Sequence, residues 1–209
     1  MREGVAAVTE KELIDNHQRY LERVALYKKF GYDVDKERAF IIERARPFSG
    51  NILEVGTGKG YFTLALARAG YNFFSFDIAA EEQRYALLNL MYHRLQQQVT
   101  FGIADVECIP CDDGFFDVIF AVNMVHHLAS VRKTCKELVR ILSPSGKIVL
   151  SDFNAHGLAI VDKIHEMDGR KHELNSGTMV DARAGLMEHG LIINEYESSA
   201  QEMLVASRI

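Results

Sequence analysis

A glycine-rich stretch is the part of the chain best suited to hold a ligand. Residues 54–60 read Glu-Val-Gly-Thr-Gly-Lys-Gly, directly after the apolar pair Ile52 and Leu53. A helical pattern of apolar residues begins behind the last glycine. Glycine lets a backbone approach a ligand closely, and a helix N-terminus offers unpaired N–H groups. The stretch therefore predicts a binding loop between a strand and a helix.

The spacing within this loop excludes one ligand class and disfavours another. A Walker phosphate loop needs Ser or Thr after its lysine, but Lys59 is followed by Gly60. In the dinucleotide fingerprint a small residue should stand where Tyr61 stands. A nicotinamide-dependent dehydrogenase therefore stays an alternative that Tyr61 disfavours. The glycines alone also fit an ordinary tight turn.

Polar side chains stand at or just beyond the carboxyl end of each of the five strands predicted between residues 52 and 153. Because the carboxyl ends of parallel strands share one edge of a sheet, these side chains should meet there, although any one of them alone could be a helix cap. They are Glu54, Asp77, Asp105, Asn123 and Asp152.

The acidic residues at this edge predict a site for an adenosine. Asp77 follows the glycine loop by about 20 residues, where an acid accepts both ribose hydroxyls. The apolar Ile78 is placed to cover one face of the purine, and Asp105 to accept from its amino group. Glu54 would repel a pyrophosphate and attract an ammonium group. The pattern therefore favours a nucleoside with an amino-acid tail.

The order of apolar segments predicts an α/β fold. Strands at 52–55, 72–76, 99–103, 116–122 and 147–151 alternate with helices, which indicates right-handed βαβ units and a parallel sheet. We expect a long helix over 79–97, a turn at Pro144-Ser145-Gly146, helices near 158–167 and 179–189, and an antiparallel hairpin from strands 191–197 and 202–207.

Two helices should precede the first strand and cover the sheet. Thr9 and Glu12 have capping-box spacing, and Pro47 should end the second helix. These helices either pack on the sheet edge alone or place a tyrosine over the site. The candidate lid residues are Tyr20, Tyr27 and Tyr32.

Composition indicates an ordinary globular domain. The 209 residues are 48% hydrophobic and 25% charged, with a net charge of −5. No apolar run is long enough to cross a bilayer, and no secretion signal is visible. The only basic cluster is Arg170-Lys171-His172, which we interpret as a loop, so nucleic-acid binding is not expected. Three cysteines favour a reducing cytoplasm over a disulfide framework.

Taken together, these motifs resemble a class I S-adenosylmethionine-dependent methyltransferase of the small-molecule, type 11-like group. The loop at 54–60 resembles the first motif of that family, and Ala104-Asp105 its adenine-side motif. The segment from Phe116 to Leu128 resembles its fourth-strand motif. The resemblance implies a Rossmann-like, seven-stranded, mostly parallel sheet with helices on both faces and the last strand antiparallel. It also implies a methyltransferase domain over 49–209 behind a helical cap over 1–48.

The resemblance further implies a cofactor, S-adenosylmethionine, with S-adenosylhomocysteine as product. The methionine part would lie on the loop, the ribose on Asp77, the adenine between Ile78 and Val106 with its amino group on Asp105, and the sulfonium beside Asn123. The implied cofactor-binding residues are Glu54, Gly56, Thr57, Gly58, Gly60, Asp77, Ile78, Asp105, Val106 and Asn123.

Candidates for proton transfer follow the fourth strand. His127 is favoured over His126 as a general base, because His126 is expected to turn toward the sheet or the following helix. Asp152, Asn154 and His156 form a second polar group, either for an acceptor or metal or, more simply, for capping a loop.

No metal site is expected elsewhere. Cys108 and Cys111 have C-x-x-C spacing, but zinc needs four ligands and we expect none of them to bind it. The segment at His165 lacks the second histidine of a metalloprotease motif.

The expected partner is a small-molecule acceptor. A non-catalytic binder of adenosyl ligands is the other alternative, and the acceptor atom and oligomeric state stay open.

Overall fold

The computed structural model describes residues 8–169, 175 and 177–208. The basic triplet at 170–172 lies outside the described residues. In chain order the structure contains α1 (Glu10–Lys29), α2 (Val34–Ala45), β1 (Ile52–Val55), α3 (Tyr61–Arg68), β2 (Phe73–Asp77), α4 (Ala80–Tyr92), β3 (Val99–Ile103), β4 (Phe116–Val122), α5 (Val131–Ile141), β5 (Leu142–Phe153), α6 (Ala155–Met167), α7 (Met179–Glu188), β6 (Ile192–Glu197) and β7 (Gln201–Ser207). Short 3-10 turns lie at Gln96–Gln98 and Val125–His127.

The strands form one seven-stranded sheet in the order β3-β2-β1-β4-β5-β7-β6. Strands β1 to β5 pair in parallel, while β7 pairs antiparallel with both β5 and β6. The sequence order reverses direction between β1 and β4, so a crevice opens there beyond the carboxyl ends of the strands. The predicted fold class is confirmed.

Apolar side chains fill both faces of the sheet. On one face the core joins β4 and β5 to α5 and α7, through residues such as Ile119, Leu138 and Leu186. On the other face α2, α3 and α4 pack over Phe120 and Val149. Strand β4 is buried over most of its length, as its continuous apolar run predicts.

The first two helices begin at side-chain caps. The Thr9 hydroxyl accepts from the backbone N–H of Glu12 at 3.2 Å, and the Asp33 carboxylate accepts from Lys36 at 3.3 Å. The second half of the predicted capping box is replaced, because the Glu12 carboxylate pairs with Arg84 of α4. This ion pair joins α1 to α4, so the cover packs on the helical layer as well as on the sheet.

Three predicted boundaries differ from the structure. The helix predicted over 79–97 ends at Tyr92, because Arg94 adopts a positive φ of 59° and breaks the helical path. The predicted turn at Pro144 is an irregularity inside β5, where pairing with β4 shifts between Phe116 and Val118. The helix predicted from residue 158 begins at Ala155, because the Asn154 side chain caps it.

The tyrosine lid predicted as an option is wrong for Tyr32. This side chain is 2% exposed in a small core with Ile160 and Ile164, and its hydroxyl accepts from Gln201 at 2.9 Å. Tyr27 stacks edge-on against it. Tyr20 is buried against Tyr61, the first residue of α3, with ring centroids 5.4 Å apart.

The close approach of α3 to α4 generates the first prediction. Gly60 has a φ of 80°, and a Cβ on it would lie 2.7 Å from the Ala86 Cα. Gly60→Ala should therefore lower the free energy of unfolding by about 3 kcal/mol, from the clash and the backbone strain together. Gly70→Ala is the matched control, since Gly70 has a φ of 89° but open space around it, and it should cost about 1 kcal/mol. Urea denaturation measures both, and equal losses would contradict this account.

Candidate functional site

The loop between β1 and α3 runs through three glycines with positive φ. Gly56, Gly58 and Gly60 have φ values of 80°, 47° and 80°. The Gly56 N–H donates to the Phe76 carbonyl at 2.8 Å, and the Gly58 N–H donates to the Asp77 carboxylate at 2.8 Å. The end of β2 therefore holds the loop, and the other Asp77 oxygen accepts from Ala79. Residues other than glycine are strained in this backbone conformation.

A buried polar network supports the loop from below. The Glu54 carboxylate accepts from Ser75 at 2.6 Å and from Thr63 at 2.8 Å. The Thr57 hydroxyl lies 2.7 Å from that of Ser75 and accepts from the Gln83 amide at 3.1 Å. Gln83 also donates to the carbonyls of Ser75 and Gly102. One network therefore joins β1, β2, β3, α3 and α4 beneath the glycines.

Above the carboxyl ends of the strands lies a cavity of about 360 Å³. It contains most of the residues that the sequence predicts for a nucleoside site, together with apolar neighbours. Its lining residues are Val55, Gly56, Gly58, Phe76, Asp77, Ile78, Ala104, Asp105, Val106, Ile109, Asn123, Met124, His127 and Leu128. We call this the strand-end cavity.

Acidic and apolar side chains both line the strand-end cavity. Asp105 is exposed, and its side chain accepts from the Glu107 N–H at 2.8 Å. Ile78 is 70% exposed, which is unusual for isoleucine. An apolar side chain held open beside two carboxylates can cover a planar apolar ligand that also carries donors.

Three predicted ligand residues do not line the cavity. Glu54, Thr57 and Gly60 are buried beneath or behind the loop, where the first two belong to its supporting network. Gly60 allows α4 to approach, as described above. The role predicted for Glu54 in holding an ammonium group stays a prediction.

Burial gives Glu54 an unusual protonation equilibrium. Loss of hydration raises the pKa of this carboxyl from 4.5 to about 7, against the opposing effect of hydrogen bonds from Ser75 and Thr63. The nearby Asp77 charge raises this pKa further, and the Arg38 charge lowers it. Near neutral pH the group is therefore poised between its charged and uncharged forms.

Asn123 closes the strand-end cavity beyond β4. It has a φ of 55°, and its N–H donates to the Ser151 carbonyl at 2.7 Å. Its buried side-chain oxygen has no hydrogen-bond partner in the part of the chain that the structure describes. Strain and an unsatisfied acceptor at the edge of a cavity are typical of a binding site.

The two histidines differ in their surroundings. His127 is exposed and lines the cavity, whereas His126 turns toward the sheet and pairs with Asp152 through its Nδ1 at 2.6 Å. The His126 N–H also donates to the second Asp152 oxygen. Of the two orientations expected for His126, the structure has the one toward the sheet, with Asp152 of β5 as its partner.

A second cavity, of about 280 Å³, lies between α1, α4 and the outer side of the glycine loop. We call it the cover cavity. Positive and aromatic side chains dominate its lining, which comprises Asn16, Arg19, Tyr20, Arg23, Lys59, Tyr61, Tyr85 and Asn89. No sequence motif pointed to it, because its residues come from three separate segments.

The contacts of the remaining candidate residues are those of ordinary structural side chains. Asn154 caps α6 by accepting from the Gly157 N–H at 3.0 Å, so the capping alternative holds for it. Cys108 is exposed and Cys111 half-buried, and both are free thiols. Across residues 8–169, 175 and 177–208, no three acidic, histidine or cysteine side chains are grouped as metal ligands would be. No helix in those ranges has the length and apolar character required to cross a membrane.

Sequence reasoning missed several residues that shape the site. Gln83 organises the loop network, and Met124 lies over Gly56, with its sulfur 3.1 Å from where a Cβ would stand. The sequence signal for Gln83 was a polar residue on the otherwise apolar face of a predicted helix. For Met124 there was none, because a methionine in that place also fits an ordinary core.

The Glu54 carboxyl generates the second prediction. Because its folded-state pKa lies above its unfolded value of 4.5, it stabilises the fold fully below pH 4.5, and this stabilisation is lost as pH rises through about 7. Glu54→Gln removes the titration and keeps hydrogen-bonding capacity. The variant should therefore gain on the order of 2 kcal/mol relative to the wild type between pH 4.5 and pH 8. Urea unfolding of both proteins across this range measures the difference, and parallel curves would contradict it.

Comparison with known proteins agrees with this architecture. The family model described as a methyltransferase domain matches residues 53–150. A ubiquinone biosynthesis O-methyltransferase from Xanthomonas axonopodis pv. citri is 26% identical over 69% of this chain and 66% of its own length. A tRNA U34 carboxymethyltransferase from Syntrophotalea carbinolica is 30% identical over 58% of this chain and 40% of its own length. The chain thus spans less than two thirds of these curated relatives.

Solved structures share the fold. A SAM-dependent methyltransferase from Aquifex aeolicus aligns with a TM-score of 0.63 at 17% identity, covering 82% of this chain and 89% of that one. The cyclase SpnF aligns with a TM-score of 0.67 at 16% identity, covering 83% and 80%. The matched region contains the loop, strands β1 to β4 and most of β5 that build the strand-end cavity. Residues 53–150 therefore match the methyltransferase-domain family, and the chain has the fold of the solved SAM-dependent methyltransferase.

Proposed function

We propose that the protein transfers a methyl group from S-adenosylmethionine to a small-molecule acceptor. The observation that carries this proposal is the convergence of Asp77, Asp105 and the glycine loop on one cavity of about 360 Å³. The sheet order places these groups at the crevice where parallel sheets bind their ligands.

The residues of the strand-end cavity fit an adenosyl ligand. Two carboxylates stand at its edge for hydroxyl and amino donors, and Ile78 and Val106 offer apolar surface for a purine. Gly56 has no side chain where the backbone would face the ligand tail, and the unpaired Asn123 oxygen can accept from an ammonium or amino group. In this proposal Asp77 binds the ribose, Asp105 the adenine amino group, and Gly56, Gly58 and Asn123 the tail.

Glu54, Thr57 and Gly60 act one layer below in this proposal. They hold the loop in its positive-φ path, so Gly56 and Gly58 stay at the lining of the cavity. Glu54 also provides a negative charge beneath the tail when it is ionised. A ligand ammonium group nearby would favour that ionised form and lower its pKa.

When bound, the cofactor supplies a methyl group on a positively charged sulfur, which is displaced directly by the acceptor. The protein's part is then to hold the acceptor in line and to keep water away, which can supply most of the acceleration. The apolar side chains of Met124 and Leu128 line the cavity next to Asn123 and exclude water there. His127 borders the same region and takes the acceptor proton where the acceptor has to lose one.

We assign the acceptor to small molecules on charge and composition. The net charge is −5, which disfavours binding along a polyanion. One relative's name refers to ubiquinone biosynthesis and another's to tRNA, so both classes occur among similar proteins. We divide the chain into a cap over 1–48 and a catalytic domain over 49–209.

The three free thiols support a reducing compartment such as the cytoplasm.

A second candidate is an adenosyl-ligand protein that does not transfer methyl groups. The observation that favours it is the structural likeness to SpnF, a cyclase on this fold. It predicts binding of S-adenosylhomocysteine without transfer to any acceptor in a broad screen.

Calorimetry with S-adenosylhomocysteine tests the cofactor proposal. The wild type should bind it, and Asp77→Asn and Asp105→Asn should each weaken binding by about 10-fold, because each removes a charged acceptor from the ligand. Asp112→Asn is the control, since Asp112 is exposed and lies outside the strand-end cavity. Absence of binding by the wild type at millimolar ligand would refute the proposal, and NADH fluorescence would then test the dehydrogenase alternative.

A further inference from the structure

One row of residues at the carboxyl end of the sheet borders the strand-end cavity. In the strand register Phe76 of β2 lies opposite Val55 of β1 on one side and opposite Gly102 of β3 on the other. Val55 in turn lies opposite Ala121 of β4. Residues at matching positions of paired strands point to the same face of a sheet, so these four form one row. Val55 and Phe76 line the cavity, whereas Gly102 does not.

The ring of Phe76 occupies the space that a side chain on Gly102 would need. A Cβ built on Gly102 would lie 2.7 Å from Cε1 and 2.8 Å from Cδ1 of that ring. Both distances are far shorter than the 3.5–4.0 Å, roughly, at which carbon atoms pack. Any larger residue at position 102 therefore has to displace the Phe76 ring.

The backbone does not require glycine at position 102. Gly102 lies within strand β3 and has no positive φ, unlike Gly56 and Gly60 of the loop. Glycine inside a strand lowers stability, because it loses more backbone freedom on folding and offers no side chain to pack. What glycine provides at this position is therefore the space that the Phe76 ring takes.

The neighbours of Phe76 leave the cavity as the open direction for its ring. Phe74 and Phe116 stand edge-on to this ring, with centroids 6.3 and 6.5 Å away. Val55, the next residue of the row, is 1% exposed and belongs to the same core. Protein interiors are close-packed and yield little to an added group. A ring displaced from Gly102 therefore moves into the strand-end cavity, which it already lines.

Phe76 lies at the end of the cavity that the proposed function assigns to the base. Asp77 and Ile78 directly follow it in the chain, and β3 leads into Asp105 and Val106, all of which line the cavity. The purine is the widest rigid part of an adenosyl ligand, and it cannot adapt its shape to a narrower space. A ring moved into this end of the cavity would therefore exclude the base first.

We propose that Gly102 is a positioning residue for base recognition. Because it has no side chain, the Phe76 ring lies over β3, and the strand-end cavity stays wide enough for a purine. This rests on the proposed function and extends it to a residue that does not itself line the cavity. Gly102→Ala narrows the base end of the cavity and leaves the carboxylates of Asp77 and Asp105 in the chain.

Calorimetry with S-adenosylhomocysteine and 5′-methylthioadenosine tests this role. Both ligands contain adenosine, but the second lacks the amino-acid tail. Gly102→Ala should weaken the binding of both by about 10-fold, since one misplaced carbon group in an apolar pocket has an effect of this size. Gly146→Ala is the matched control, because its Cβ would lie 2.7 Å from Leu142 Cδ1, its φ is not positive, and it lies outside the cavity. It should keep both wild-type affinities.

A second substitution separates the ring of Phe76 from the backbone of β3. The Gly102 carbonyl accepts from Gln83 at 3.0 Å, so a shift of the strand would act on the glycine loop and weaken S-adenosylhomocysteine alone. Phe76→Leu shortens the side chain, and adding Gly102→Ala to it should change either affinity by less than about 2-fold. A loss confined to S-adenosylhomocysteine, or the same loss from Gly102→Ala in both backgrounds, overturns the proposal.

A crystal structure of ligand-free Gly102→Ala gives a readout that needs no ligand. The Phe76 ring should move about 1 Å into the strand-end cavity, which restores an ordinary carbon contact. A ring that keeps its place or moves away from the cavity contradicts the proposal. Failure of the wild type to bind either ligand sinks the proposed function instead, and this structure then decides about Gly102 separately.

Discussion

The hydrogen bonds beneath the glycine loop are the constraint on which the site depends. Glu54, Ser75 and Thr57 come from β1, β2 and the loop, and Gln83 of α4 joins them to β3. All four side chains are buried, so each lost bond would leave a polar group unsatisfied. The network thus fixes one backbone conformation for a loop whose glycines could adopt many. A flexible segment becomes a rigid surface because its support is polar and fully enclosed.

The pairing of the strands places the residues that line the strand-end cavity around this loop. In the sequence the Asp77 and Asn123 positions are far apart, but β1 pairs with β2 on one side and with β4 on the other. The residues after each of these strands therefore meet around the loop. The carboxylate of Asp77, which lines the cavity, also accepts from the Gly58 N–H, so one side chain both borders the cavity and holds the loop.

The sequence predicted the elements whose signals are local and repeated. Apolar strand segments, the cap at Thr9 and the stop at Pro47 specify these boundaries by themselves. The end of α4 was missed because it depends on a positive φ at Arg94, a residue type that does not mark it. The burial of Glu54 was missed for another reason, since only packing by α3 and β2 decides which way a strand-end carboxylate points. Nonlocal contacts, which a pattern does not contain, decide the chemistry of the site.

The least favourable features of the fold are concentrated around the loop. Glu54 and Arg38 are buried charges of opposite sign that interact without pairing, and Asn123 combines a positive φ with an unpaired oxygen. Natural folds retain such features where function requires them, because elsewhere selection for stability removes them. The unsatisfied groups and the backbone strain around the loop therefore mark this region as the part of the fold that function, rather than stability, has shaped.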